Sequence, residues 1–448
     1  MKLSRKNFLL GGLGFFSTHL ASQIKSKSIK EEKIAIVGAG FSGMYAGHLL
    51  ATQGLSFEIF EASSRIGGRV RPLHDFADFP VELGGEEIHG NKSLYYKLLE
   101  EKKVPLIKKE FENYYSIKGK LLEESEADLD PNFSKIQDAI QSLKFYERED
   151  ISVEDFLTKK SIPKSYFHIA EAEIGSEYGV NIKNLSALGI ARNIQNWKAG
   201  EEVFRIRNRS NLSVLEEITG IIQKKTHLNT QIKKIDFSKD KVVLIDHLGN
   251  EYTASRVLIT VPISVLKDGD ISFHPALPSF ISSAIQKISI GSGIKIVLKF
   301  SKRFWQANTG IIVGEGWIPK FYAPGYLRGT LNNVLVGYVV GDWADKLSEL
   351  GQDVYKLAVK ELDSLFGKKI ASSSLVNYFI MDWKKEPFIR GVISYPSIGE
   401  ADAREKLSSP VEEKIFFAGE ATNPIHYGTM HGAIESAQRA VSQIISFL

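Results

Sequence analysis

Lys33-Ile-Ala-Ile-Val-Gly-Ala-Gly-Phe-Ser-Gly-Met-Tyr-Ala-Gly47 is the stretch around which this chain is organised. Ile34, Ile36 and Val37 make a short apolar run, the pattern of a strand buried on both faces. Gly38, Gly40 and Gly43 follow as G-x-G-x-x-G. The first glycine permits a tight turn, the second a close approach of backbone to a pyrophosphate, and the third close packing of helix on strand. The spacing predicts a helix from about Ser42 to Gln53, its first N–H groups facing phosphate. Gly54 ends it. Phe57-Glu-Ile-Phe60 is the next strand, and Glu61 at its C-terminal end is placed to accept hydrogen bonds from a ribose. Strand, glycines, helix, strand and acid occur in order, which predicts a dinucleotide site.

Glu61-Ala-Ser-Ser-Arg-Ile-Gly-Gly-Arg69 continues the theme. A second Gly-Gly beside two arginines suits another approach of backbone and cation to the same pyrophosphate, and Arg69 can offer a planar fork to phosphate oxygens. From Ile34 through Arg69 the sequence resembles the FAD-binding start of the flavin amine oxidases, a family of monoamine, polyamine and lysine-demethylase oxidases. Glu82-Leu-Gly-Gly-Glu-Glu-Ile-His-Gly90 resembles their next block, E-L-G-x-x-W-I-H-G. Scattered blocks carry the resemblance to the C-terminus.

The resemblance implies FAD contacts from Gly38, Gly40, Ser42, Gly43, Glu61, Ala62, Arg65, Gly68 and Arg69, and from Gly84, Gly85 and Glu86. It places Ile232 against the adenine through its backbone. Asp382-Trp383 to Gly391 resembles W-x-x-D-P-F-x-x-G, with Lys385-Glu386 before Pro387, and puts Trp383 beside the flavin ring. Ile415-Phe-Phe-Ala-Gly-Glu-Ala-Thr422 and Pro424-Ile-His-Tyr-Gly-Thr-Met-His-Gly-Ala433 resemble F-A-G-E-x-T and G-T-x-H-G-A of the polyamine-oxidase branch. They imply contacts from Gly419, Glu420, Thr429 and Met430. The last block opens a helix whose apolar stripe runs through Ile434, Ala437, Val441 and Ile444.

Gly291-Ser-Gly-Ile-Lys-Ile-Val-Leu-Lys-Phe300 alternates, with Ile294, Ile296 and Leu298 on one face and Lys295, Val297 and Lys299 on the other. The resemblance makes Lys295 the catalytic lysine that reaches the flavin N5 through a water, near an apolar flavin face that would disfavour its charge. Lys299 is expected in solvent. Glu87 and His89 are candidates for cavity polarity or amine recognition. Ile393 stands where many relatives have an aromatic-cage tyrosine, so this chain lacks that wall; Tyr395 lies two residues further along.

The expected fold is α/β: a Rossmann-like FAD domain of discontinuous segments with an inserted substrate domain of sheet and helices. The expected divisions are residues 31–90, 215–285 and 393–448 for FAD and residues 91–214, mainly helical, and 286–392 for substrate. Leu94, Leu98 and Leu99, and Ile136, Ile140 and Leu143, have helical spacing. Ser152 with Asp155 marks a capped helix start. Strands are expected at Ile232 to Phe237, Lys241 to Asp246 and Tyr252 to Thr260.

The chain has 448 residues, is 43% hydrophobic, and carries a net charge of +4 with lysines scattered, which makes no case for nucleic acid. It has no cysteine, which excludes disulfides, thiolate metal sites, a cysteine nucleophile and a cysteinyl-flavin link. FAD is therefore expected to bind non-covalently, and no metal is expected. Residues 1–30 are expected to form no part of the fold. Lys2, Arg5 and Lys6 precede an apolar run from Phe8 to Phe16, too short to span a bilayer. Ser4-Arg-Lys-Asn-Phe-Leu-Leu10 resembles a twin-arginine export signal, with Lys6 in place of the second arginine, so a periplasmic or secreted location is expected, with a cytoplasmic one as the alternative.

The implied activity is oxidation of a small-molecule amine by hydride transfer to flavin, with oxygen reduced to hydrogen peroxide and the imine hydrolysed. Two rivals stand beside it. One is an amino-acid oxidase, whose carboxylate clamp could come from Arg192, Arg205 or Arg390, or a carbon–carbon desaturase. The other is a non-catalytic FAD-binding interaction protein. Oligomeric state is not legible.

Overall fold

The computed structural model describes residues 32–448; the segment expected to be an export signal lies outside them. Lys33–Val37 is the central strand of a five-stranded parallel sheet, its neighbours Ser56–Phe60 and Arg256–Ile259. Thr226–His227 and Ile415–Phe417 form the edges. Ile34, Ala35, Ile36 and Val37 are all buried because helices and a second sheet cover both faces, which is why the run is continuously apolar. The helix Phe41–Thr52 packs on one face together with the last helix, Met430–Ser446, whose Ile434, Ala437, Val441 and Ile444 are buried as the stripe predicts. Segments far apart in sequence thus build one sheet. The α/β expectation holds.

The other face is covered by a four-stranded sheet of Ile232–Asp236, Val242–Asp246, Glu251–Ala254 and Ser272–His274. Here the predicted strand from Tyr252 to Thr260 is corrected. It breaks at Ser255, and its halves serve different sheets: Glu251–Ala254 pairs with Val242–Asp246, whereas Arg256–Ile259 joins the parallel sheet. An apolar run cannot reveal that its hydrogen-bonding partner changes partway.

A seven-stranded sheet forms the second body of structure, in the order Leu375–Asp382, Gly293–Phe300, Asn333–Val340, Lys320–Tyr322, Thr309–Val313, Glu112–Ile117, Lys120–Glu123. Two of these strands come from the stretch read as mainly helical. Glu112–Ile117 was hidden because its charged first residue and tyrosines carry no clean alternation, yet it pairs in parallel with Thr309–Val313. The predicted helices do form, at Leu94–Glu101, Pro131–Ser142 and Val153–Lys159. The last is capped as expected, the Ser152 hydroxyl accepting from the Asp155 amide at 2.9 Å. Ile294, Ile296 and Leu298 enter one core and Val297 another, so the strand's two faces are both buried. No helix among the described residues is long and apolar enough to cross a membrane.

Candidate active site

One cavity of about 710 Å³ runs from the glycine turn at Gly38 to the seven-stranded sheet. Its near end is built by the opening motif. Gly38 has φ +106°, open to glycine at little cost, and a Cβ on Gly43 would lie 2.0 Å from the Gly38 carbonyl oxygen. A Cβ on Gly40 would meet nothing within 4 Å, so the backbone there is bare toward the cavity. Gly40 also precedes the helix Phe41–Thr52 without giving it a side-chain cap. The first N–H groups of that helix are left for a ligand, where the helix dipole favours negative charge. Glu61 is fixed by the amides of Ala39 at 2.8 Å and Ser63 at 2.9 Å.

Arg65 is short of counter-charge. Burial, and then the neighbouring Arg71, push its guanidinium below the ordinary value; its ion-pair partner among the described residues is Glu386, at 4.0 Å, which Arg71 holds at 2.9 Å. A bound anion would supply what is missing. Arg69 is more engaged than a free phosphate fork: it donates to Glu420 at 2.8 Å and to the Val392 carbonyl at 2.9 Å. Burial would raise the Glu420 carboxyl, but Arg69 and Arg404 outweigh it and hold it below the usual range. Glu420 also accepts from the Gly428 amide at 2.8 Å, so one carboxylate joins the C-terminal blocks to each other and, through Arg69, to the N-terminal one.

Every predicted site residue lines this cavity except Gly43, which sits behind the turn and packs helix on strand. Ser42, Ala62, Gly68 and Ile232 line its near half, and Gly84, Gly85, Trp383, Gly419, Thr429, Met430 and Ile393 its middle. Trp383 is buried and donates through Nε1 to the Leu83 carbonyl at 2.9 Å. Thr429 caps the last helix, accepting from the Gly432 amide at 2.9 Å. Tyr395 does not line the cavity; it pairs with Ser289 instead. A bare turn, an uncapped helix and an under-compensated arginine at one end of a long cavity fit an adenine dinucleotide whose other end is a planar ring.

The far half is polar. Lys295 is buried and donates to the carbonyls of Gly84 at 2.9 Å and Glu82 at 3.0 Å, and to Glu86 at 3.4 Å. The strand thus aims its ammonium at two carbonyls and a carboxylate. Lys299 is also held, donating to the Phe76 carbonyl at 3.0 Å rather than standing in solvent. Glu86 accepts from Tyr322 at 2.8 Å. Burial would raise the Glu86 carboxyl, yet Arg205 and Lys295 hold it low. Glu87 likewise falls well below the usual range, burial being outweighed by Lys109 at 2.9 Å and Arg205 at 2.9 Å. Behind them Glu82 is fully buried, with one oxygen bonded to the Asn211 amide at 2.7 Å and the other unpartnered; burial pushes its carboxyl up to about 7. His89 stands 3.6 Å from Glu177.

Sequence reasoning missed Lys109, Lys320, Tyr322 and Tyr338, all of which line this half. The i, i+2 pair Lys320 and Tyr322 on a short strand was the one available signal. Of the three arginines weighed as a carboxylate clamp, Arg205 reaches the cavity but is taken by Glu86 and Glu87. Arg390 is held by Asp268 and Asp270, and Arg192 is exposed. Outside the cavity, His426, His431 and Glu435 bring ligand-type atoms within 4.8 Å of one another, a grouping not anticipated from the sequence.

Comparison with known proteins agrees with this geometry. The chain is 25% identical to polyamine oxidase 4 of Oryza sativa subsp. japonica, over 95% of this chain and 91% of that protein. It is 24% identical to lysine-specific histone demethylase 1B of Mus musculus over 99% of its own length, but spans only 56% of the demethylase. Among solved structures, an engineered putrescine oxidase superposes with a TM-score of 0.80 at 22% identity, covering 93% of this chain and 99% of that one. Cyclohexylamine oxidase from Brevibacterium oxydans IH-35A gives 0.78 at 20% identity with the same coverage. These two show the fold. The model of an NAD(P)-binding Rossmann-like domain matches residues 36–101. That of the flavin containing amine oxidoreductases matches residues 213–445, more than half of the chain. The chain belongs to the family of flavin-containing amine oxidoreductases, with FAD as its cofactor.

Proposed function

We propose that this protein oxidises a small-molecule amine at the carbon bearing nitrogen. The observation that carries the reading is the continuity of one cavity from the uncapped helix at Gly40 to the buried ammonium of Lys295. Residues Gly38 to Ser42, Glu61 and Arg65 would hold the adenosine and pyrophosphate of FAD; Trp383, Thr429 and Met430 would flank its ring. Bound there, FAD supplies two-electron acceptor chemistry: a C–N bond is oxidised to an imine that water hydrolyses, and oxygen is reduced to hydrogen peroxide. The protein's part is to orient the amine and exclude water. Lys295 would hold a water or move a proton at Nζ, its position fixed by the Gly84 and Glu82 carbonyls. The chain has no cysteine to form a thioether, which supports a flavin held without a covalent bond. We extend the proposal to export before action, on the strength of Ser4-Arg-Lys-Asn-Phe-Leu-Leu10 alone.

The test is anaerobic mixing of purified yellow protein with a panel of primary, secondary and polyamines. Bleaching of the flavin band by at least one amine, with stoichiometric peroxide on readmitting oxygen, is expected. A flavin that no amine, amino acids included, reduces would overturn this reading and leave the desaturase or the non-catalytic one.

A further inference from the structure

Lys295 and Lys320 share one face of the cavity sheet. Each pairs directly with Tyr338, from either side, so their Cα atoms lie two strand spacings apart, about 10 Å. Both line the cavity, but their surroundings differ. Lys295 is saturated by two carbonyls and Glu86. Lys320 makes no ion pair and no side-chain hydrogen bond among the described residues, although it lies in the field of several charges.

The charges around it can be accounted for one by one. Glu86 is occupied by Arg205, Lys295 and Tyr322, and Glu87 by Lys109 and Arg205. Glu173 is engaged by Tyr115 and Gln137, each at 2.8 Å. Glu177 is half exposed beside His89. No buried carboxylate that lines the cavity is spare for a second ammonium, Glu82 lying behind the wall, while one ammonium is spare for an anion. Burial, with Lys109 and Arg205, pushes Lys320 below its ordinary pKa, against the pull of Glu87 and Glu177. A cation without a partner is costly once a ligand displaces the water around it, and a ligand anion removes that cost.

We propose that the substrate is an amine that also carries a carboxylate, and that Lys320 receives this carboxylate. The inference rests on the amine-oxidising reading above and narrows it. A diamine or polyamine fits the same wall less well, since Glu86 and Glu87 are already paired and its second ammonium would meet the unpaired Lys320.

Four six-carbon compounds separate the possibilities: hexylamine, 1,6-diaminohexane, 6-aminohexanoate and L-norleucine, each mixed anaerobically with holoenzyme. One of the two carboxylate-bearing amines should reduce the flavin with at least a tenfold higher second-order rate constant than hexylamine or the diamine, and which one does so places the anion relative to the reacting carbon. Lys320→Gln should narrow that ratio to about twofold, and Lys320→Arg should restore most of it. Hexanoate, which cannot be oxidised, should bind holoenzyme in calorimetry and bind at least tenfold more weakly to Lys320→Gln. A diamine preferred by the wild type, or a preference untouched by Lys320→Gln, overturns the proposal. If no amine reduces the flavin, the oxidase reading falls, and the hexanoate titration alone decides whether Lys320 is an anion site.

Discussion

Glu82 places an unusual demand on a single side chain: a fully buried carboxyl with one oxygen unpartnered, next to Glu86 and behind Lys295. Burial, the larger cause, raises its pKa to about 7, against the pull of the Asn211 amide. The folded state therefore keeps a proton that the unfolded chain has released by that pH. Stability from this group is full below the unfolded value near 4.5 and is lost as pH rises through about 7. Glu82→Gln keeps an acceptor for Asn211 and abolishes the titration. Its advantage over wild type in urea unfolding should widen by about 2 kcal/mol from about pH 5 to about pH 8. Parallel stability curves would show that Glu82 does not titrate in this range. Lys295→Met tests the other half of the pair. Flavin should stay bound, because Lys295 lies at the far end from the glycine turn, while reoxidation by oxygen slows by tenfold or more in stopped flow. Unchanged reoxidation would remove Lys295 from the oxygen half-reaction.

At the scale of the element, the turn between the first strand and helix separates two kinds of glycine. Gly43 carries packing: a Cβ there overlaps the Gly38 carbonyl at 2.0 Å, so Gly43→Val should cost on the order of 3 kcal/mol and lower yield of folded protein. Gly40 carries the ligand. Its φ of −76° suits any residue and its Cβ would enter open space. Gly40→Val should therefore fold with an apoprotein melting point near wild type and bind FAD at least tenfold more weakly, read by flavin fluorescence. Equal loss of folding in both variants would refute that division. This motif was legible in the sequence because its chemistry is local: turn, amide donors and acid are contiguous. Lys320, Tyr322 and Tyr338 were not, because what puts them in the cavity is register across three strands, and nothing in Lys320-Phe-Tyr322 says which strand lies beside it. The break at Ser255 escaped for the same reason.

For the molecule as a whole, the cavity's walls come from both ends of the described chain and from its middle, so a bound cofactor touches elements far apart in sequence. Ligand that binds only the folded state stabilises it by mass action, about 2.7 kcal/mol at a hundredfold excess over Kd. Removing FAD should lower the melting temperature by several degrees, and returning it should restore the loss. A melting point indifferent to FAD would mean that the cavity does not hold it. The α/β class and the pairing of N- and C-terminal blocks were readable because Gly38 to Glu61 and Gly419 to Gly432 each carry their own motif. The seven-stranded sheet was less so, since Glu112–Ile117 reaches it through a parallel partner almost two hundred residues away in sequence.

The strand Ile415–Phe417 and the helix Met430–Ser446 close what Lys33–Val37 begins. During synthesis the first half of the pocket leaves the ribosome long before its other half exists. A nascent chain halted short of Met430 would expose the apolar flank of Phe41–Thr52 and could not retain its coenzyme. Loading must then wait until this helix has been made, and yellow colour would report that the two halves of the pocket have met.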